Sequence, residues 1–103
     1  MIAIHARNKE SVKQMNIQRN INKLLIGIKL KGKNVKLESK TYFSENSNKY
    51  ITKYSVYERI KYENKYGEEK EKWLEINICY GKANLLKYLV TYYRKIEGEA
   101  NDE

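Results

Sequence analysis

The chain has 103 residues, of which 41% are hydrophobic and 33% are charged, and its mean hydropathy is −0.85. This length predicts one domain with a single ordinary core. No stretch reaches the roughly 20 apolar residues that a membrane span requires, and the first residues lack the apolar run of a signal peptide. The single cysteine excludes an internal disulfide. We therefore expect a soluble, cytoplasmic protein that does not associate with membranes.

Positive charge is the strongest property of the composition. The net charge is +8, and residues 1–65 carry fifteen basic and five acidic groups, whereas residues 66–103 carry six basic and eight acidic groups. This asymmetry predicts a polyanion or an acidic protein surface as partner. The alternative is a lysine-rich proteome that uses lysine as a general surface residue. Lysine, asparagine, isoleucine and tyrosine have AT-rich codons, which favours a gene of a low-GC bacterium or of one of its phages or plasmids.

The N-terminal segment, residues 1–22, is polar and weakly patterned. Apolar residues recur in it at loosely helical spacing: Val12, Met15, Ile17, Ile21, Leu24 and Leu25. This spacing predicts a short helix over about residues 9–22. The alternative is a flexible arm whose basic residues are Arg7, Lys9, Lys13 and Arg19.

Four strands are predicted between residues 24 and 80, because apolar and polar residues alternate there with a period of two. The strands cover residues 24–30, 35–43, 49–62 and 72–80, with turns at 31–34 and 44–48 and a charged loop at 63–71. In the last strand one side is predicted to hold Leu74, Ile76, Ile78 and Tyr80, and the other Trp73, Glu75, Asn77 and Cys79.

A C-terminal helix follows Gly81. Its apolar residues lie three and four positions apart: Leu85, Leu86, Leu89, Val90, Tyr92, Tyr93 and Ile96. Gly98 is suited to cap this helix, and residues 99–103 form an acidic, frayed tail. The sequence thus predicts an α+β fold, with a four-stranded antiparallel β-meander packed by the C-terminal helix. Residues 23–98 are its single domain.

Catalytic and metal-binding patterns are not found. The only histidine is His5, which lies in the weakly patterned segment, and Cys79 has no nearby histidine to activate it. The glycines are scattered, so no phosphate-binding loop is predicted, and the cluster Glu68, Glu69 and Glu71 lacks the spacing of a metal loop. We expect no enzyme activity, cofactor or metal. A metal-independent nuclease that uses tyrosine, lysine and glutamate stays open.

One face of the predicted sheet combines cations with aromatic rings. Its residues are Lys29, Lys31, Lys36, Lys40, Tyr42, Lys53, Tyr57, Arg59, Lys61 and Trp73. Single-stranded nucleic acid binds to such surfaces, because phosphates pair with cations and unstacked bases lie on rings. The alternative is an ordinary solvent-facing sheet on which lysines prevent aggregation.

The sequence therefore predicts a small, non-enzymatic, nucleic-acid-binding accessory protein, with single strands favoured. A second hypothesis is a protein-interaction inhibitor of a host nucleic-acid machine, of the anti-CRISPR or another anti-defence type, because tyrosine, tryptophan and arginine are favoured at interfaces. A third is a homodimer in which Tyr88, Tyr92 and Tyr93 form the seam.

Overall fold

Five regular elements lie in residues 2–101, the part of the chain that a computed structural model describes, with side chains from residue 13 to residue 99. They are helix α1 (Ile2–Leu30), strands β1 (Val35–Ser44), β2 (Lys49–Glu63) and β3 (Glu69–Tyr80), and helix α2 (Lys82–Asn101). The α+β class is confirmed, but the antiparallel sheet has three strands and not four. Neither of these described helices is long and apolar enough to cross a bilayer.

The segment predicted as the first strand, residues 24–30, forms the last two turns of α1. A run this short fits both the strand and the helix period, so periodicity alone cannot separate them. The helical period prevails because Ile21, Leu24 and Ile28 lie on one face of α1 and pack into the core. The short helix predicted at residues 9–22 is therefore part of a longer one, and the boundary predicted at residues 22/23 falls inside it.

Gly27 allows α1 to approach α2 closely. A Cβ atom at this position would lie 3.0 Å from Cε2 of Tyr93. Farther back along both helices, Leu24 lines a groove with Leu86 and Val90, so α1 and α2 run in the same direction. Glycine weakens a helix by about 1 kcal/mol relative to alanine, and at Gly27 this loss accompanies a close helix–helix contact.

Strand β2 is central, with β1 and β3 paired antiparallel on its two sides. The Ser/Asn turn between β1 and β2 is confirmed, and Asn48 adopts a positive φ of 55° there, a conformation that asparagine tolerates. The charged loop is shorter than predicted, because β3 begins at Glu69. In this loop Oδ1 of Asn64 accepts hydrogen bonds from the backbone N–H groups of Tyr66 and Glu68, both at 2.9 Å.

A β-bulge in β3 reverses part of the predicted side-chain pattern. Val56 pairs with Asn77, but the next residue, Tyr57, pairs with Glu75, so Ile76 has no partner in the ladder. One extra residue moves the side chains beyond it to the other face. The predicted facing of Ile78 and Cys79 is therefore wrong, since Cys79 is buried at 6% exposure and Ile78 is 41% exposed.

The core lies between the two helices and one face of the sheet. Its buried residues are Ile21, Ile28, Val56, Cys79, Leu85, Leu89, Tyr92 and Ile96. The predicted apolar face of the C-terminal helix is thus confirmed. The helix does not end at Gly98, because α2 continues to Asn101; the last residues of the predicted tail, 102–103, lie outside the described residues.

The three tyrosines predicted for a dimer seam belong to this core. Tyr92 is buried, and its hydroxyl donates a hydrogen bond of 2.8 Å to Oε1 of Glu58 on β2. Tyr88 and Tyr93 are half-buried and pack against the same cluster. Burial in the low-dielectric core and the Glu58 carboxylate raise the pKa of Tyr92.

Candidate nucleic-acid interface

The outer face of the sheet, turned away from α1 and α2, carries eight of the ten residues predicted for the binding site. They are Lys36, Lys40, Tyr42, Lys53, Tyr57, Arg59, Lys61 and Trp73. The pairing registers bring them together, because residues opposite each other on paired strands share a face. The sequence pattern thus locates these eight residues on one surface.

Lys29 and Lys31 do not belong to the outer face. Lys29 lies in the last turn of α1 and Lys31 in the turn that follows, because residues 24–30 are helical and not a strand. The Nζ atom of Lys31 is 5.9 Å from the ring centroid of Tyr93, so this lysine contacts α2. Lys29, in contrast, reaches a cleft that includes residues of the outer face.

Carboxylates on the outer face neutralise part of its positive charge. Three ion pairs form there: Arg59 with Glu71, Lys36 with Glu38 at 3.8 Å, and Lys61 with Glu69 at 3.9 Å. All of these groups are partly or fully exposed, so the pairs contribute little to stability. Lys40 and Lys53 form no ion pair with any side chain between residues 13 and 99. The face is therefore less basic than its lysine and arginine content suggests.

A cleft of about 440 Å³ lies where the end of α1, the following turn and the start of β1 meet Trp73. It is lined by Leu25, Ile26, Lys29, Lys33, Asn34, Val35, Lys36, Leu37 and Trp73. We call it the basic cleft. Three lysines line it and no carboxylate is among these lining residues. Its charge is therefore positive, although Glu38 on the outer face partly neutralises Lys36.

Trp73 supplies the aromatic surface of the basic cleft. The Nζ atom of Lys36 lies 4.6 Å from the ring centroid, and Cζ of Arg59 lies 5.8 Å from it. Both contacts are cation–π interactions. Arg59 belongs to the neighbouring strand β2, whereas Lys36 reaches the ring from β1, across β2. The side chain keeps 38% of its surface exposed. An aromatic ring is thus held next to cations while part of it faces solvent.

The N-terminal third of the chain holds most of the net charge. Residues 1–34 contain eight basic residues and one acidic residue, a net charge of +7, against +8 for the whole chain. On the described part of α1, Lys13, Arg19, Lys23 and Lys29 are all exposed. Exposed cations are therefore distributed along α1, and one of them, Lys29 near its C-terminal end, lines the basic cleft.

Lys33 is the cleft residue that sequence reasoning missed. It lies in the predicted turn 31–34. A prediction of residues 24–30 as a strand does not assign the side chains of this turn to either face of the sheet. A helical interpretation of Ile17, Ile21, Leu24 and Ile28 would have placed Lys29 and Lys33 near the start of β1. Among the arm residues, Arg7 and Lys9, like His5, have side chains outside the described range.

Tyr57 lies at the centre of the outer face, directly opposite Lys36. Partial burial and the carboxylate of Glu38 raise the pKa of its phenol. The Nζ atom of Lys36 lies 5.4 Å from its ring centroid. Lys36 therefore contacts two aromatic rings, those of Tyr57 and Trp73.

Among the described residues, no three His, Cys, Asp or Glu side chains lie close enough together to hold a metal ion. Burial raises the pKa of the Cys79 thiol, which lowers its reactivity. Comparison with protein-family models, curated proteins and solved structures finds no match. Function must therefore be argued from the residues of this chain.

Proposed function

We propose that the protein is a non-enzymatic accessory protein that binds single-stranded nucleic acid at the basic cleft. The observation that carries the proposal is the lining of this cleft, where three lysines and a partly exposed tryptophan meet with no carboxylate among the lining residues. Cations that follow the backbone and aromatic rings that stack bases are the two components of single-strand binding.

Electrostatic capture is the first step of the proposed mechanism. Lys29, Lys33 and Lys36 line one concave surface, and α1 carries further exposed cations. Each phosphate that binds a lysine releases condensed counterions, so affinity falls as salt rises. Three such contacts predict a slope of about −2 in log affinity against log salt for a single strand.

Stacking on Trp73 is the second step and gives the preference for single strands. A base stacked on an aromatic ring contributes about 1–3 kcal/mol and needs no particular sequence. Lys36 lies over the ring in the free protein. A base that stacks on this face therefore displaces the ammonium group, which can then pair with a neighbouring phosphate. A duplex keeps its bases stacked on each other, so it can use the lysines of the cleft but not the ring.

The test is fluorescence anisotropy of labelled single-stranded DNA, single-stranded RNA and duplex of equal sequence, at about 50 and about 200 mM salt. We expect salt-sensitive binding that is tighter for single strands than for duplex, with the strand left uncut. Replacing Lys29, Lys33 and Lys36 by glutamine should make the slope of log affinity against log salt less negative by about 2. Equal binding of this variant and the wild type would overturn the proposal.

A matched control removes the same number of positive charges from helix α2. Lys87, Arg94 and Lys95 are exposed on α2 and do not line the basic cleft. Replacing them by glutamine also removes three positive charges. We expect this control to bind almost as the wild type does. If both triple variants lose affinity equally, only the total charge matters and the cleft is not the site.

A second candidate is the docking of an acidic protein surface at the same end of α1. Ile26 and Leu30 are 61% and 83% exposed next to Lys29, and exposed apolar residues beside cations are typical of protein interfaces. This candidate corresponds to the predicted inhibitor of a nucleic-acid machine. Recovery of a stoichiometric protein partner after nuclease treatment, together with no binding to free strands, would favour it.

A further inference from the structure

Lys40 and Lys53 face each other directly across β1 and β2 on the outer face. Tyr80 of β3 lies opposite Lys53 on its other side, so the three residues form one row across the sheet. Residues directly opposite on paired strands have Cβ atoms about 4.5–5.5 Å apart. The two lysines therefore start from neighbouring Cβ atoms, beside a tyrosine that is 51% exposed.

The positive charge of this row is not neutralised by a nearby carboxylate. Glu38, two residues before Lys40 on the same face, lies 3.8 Å from Lys36 on its other side. Between residues 13 and 99, neither Lys40 nor Lys53 forms an ion pair. Like charges directly opposite each other destabilise a sheet. An anion bound between the two lysines would remove this repulsion.

The row lies on the same surface as the basic cleft, at a distance that several nucleotides can cover. Lys36 lines the cleft and Lys40 follows it four residues later on the same strand and the same face, which is about 13 Å at 3.3 Å per residue. Stacked nucleotides advance by about 3.4 Å each. About four nucleotides would therefore connect the two places.

We propose that Lys40, Lys53 and Tyr80 form a second contact point for the same nucleic-acid strand, an inference that rests on the proposed function. The two lysines hold a phosphate, and Tyr80 stacks a base beside it. The strand leaves the basic cleft at Lys36 and crosses the outer face to this row. High affinity then requires a strand long enough to occupy both contact points.

The experiment compares oligothymidylates of about two to about twelve nucleotides, a range around the site sizes of small single-strand-binding folds. Wild-type affinity should rise steeply once the length exceeds about four nucleotides. The double variant Lys40→Gln, Lys53→Gln should lose this rise, with affinity for the longer strands at least about tenfold weaker and affinity for the shortest unchanged. Its salt slope for long strands should become less negative by about 0.7, because the contact with one phosphate is lost.

Two controls test the specificity and the folding of this variant. Arg94→Gln with Lys95→Gln removes the same charge from exposed positions of α2 and should leave the length dependence unchanged. The double variant at Lys40 and Lys53 should melt at the wild-type temperature or above it, because a like-charge repulsion is removed. The single variant Lys40→Gln, at an exposed position, repeats the binding test with the smallest structural change.

The result can separate this inference from the proposed function. If the double variant weakens short and long strands equally, or weakens neither, the second contact point is wrong while binding at the basic cleft stands. If the wild-type protein binds no oligonucleotide of any length, both proposals are wrong.

Discussion

The Nζ atom of Lys36 lies 4.6 Å from the centroid of the Trp73 ring. These two residues belong to the two outer strands, β1 and β3, and their side chains meet across β2. A group suited to phosphate and a group suited to base stacking are thereby held side by side. This contact between Lys36 and Trp73 depends on the sheet register, since Lys36 is opposite Tyr57 and Trp73 is opposite Arg59.

Replacing Trp73 by alanine should weaken single-strand binding by about 1–3 kcal/mol, because the stacking surface is lost. Trp73→Phe keeps an aromatic ring and should lose less. Both variants should have melting temperatures close to that of the wild-type protein, since the side chain is 38% exposed and lies outside the core. Anisotropy titrations and thermal melts measure the two effects. Equal affinities of the alanine variant and the wild type would contradict stacking at this residue.

Two leucine-to-alanine variants test the assignment of the core. Leu89 is 0% exposed and Leu30 is 83% exposed. Leu89→Ala should lower the free energy of unfolding by about 2–5 kcal/mol, because it removes buried methyl groups and leaves a cavity. Leu30→Ala should change it by less than about 0.5 kcal/mol. Urea unfolding gives both values, and a small effect at Leu89 would show that α2 does not pack as described.

Two helical glycines should respond differently to alanine. Nothing lies within 4 Å of a Cβ atom built on Gly98, whereas one on Gly27 would be 3.0 Å from Cε2 of Tyr93. Gly98→Ala should therefore raise stability by about 0.5–1 kcal/mol through helix propensity. Gly27→Ala should fail to gain this increment, because the new methyl group displaces the Tyr93 ring. Thermal melts of both variants measure these changes in stability. Equal stabilisation by Gly27→Ala and Gly98→Ala would contradict the close contact between Gly27 and Tyr93.

The hydrogen bond from Tyr92 to Glu58, 2.8 Å long, predicts a pH dependence of stability. Tyr92→Phe should lower the free energy of unfolding by about 1–2 kcal/mol near neutral pH, because a bond to a carboxylate is lost. The folded state raises the pKa of the phenol, so its contribution is complete below about pH 10, where the unfolded tyrosine begins to ionise.

Above that pH the contribution of Tyr92 decreases, because the unfolded state loses the phenol proton before the folded state does. The difference in stability between the wild type and Tyr92→Phe should therefore narrow as the pH rises past about 10. Urea unfolding at neutral and alkaline pH measures this difference. A difference that widens with pH would contradict the direction of the pKa change.

Strands β1 and β2 and most of α2 could be predicted from the sequence, because their patterns are long. Val35–Ser44 and Lys49–Glu63 alternate over ten and fifteen residues, which no helical period fits. The eight sheet residues of the candidate site followed from this alternation. Residues 24–30 were predicted wrongly because Ile26 and Ile28 favour a strand locally, while packing against α2 favours the helix.

The bulge at Ile76 could not be predicted from the chain, because alternation continues through it in the sequence. Its position depends on pairing with β2, where Val56 and Tyr57 face residues two positions apart. Cys79 is buried as a consequence, and Tyr80 turns to the outer face beside Lys53. The basic cleft was missed for a related reason, since it joins residues of α1, β1 and β3 that only tertiary structure brings together.

Trp73 is the only tryptophan in the chain, so tryptophan emission reports on the place where the basic cleft meets the outer face. The most direct test of the account is a titration of the protein with an oligothymidylate at low salt, followed by tryptophan emission. We predict saturable quenching that weakens as salt is raised and that is lost when Lys29, Lys33 and Lys36 are replaced by glutamine. An unchanged Trp73 emission, while a labelled strand is shown to bind, would place the interface elsewhere and contradict the central claim.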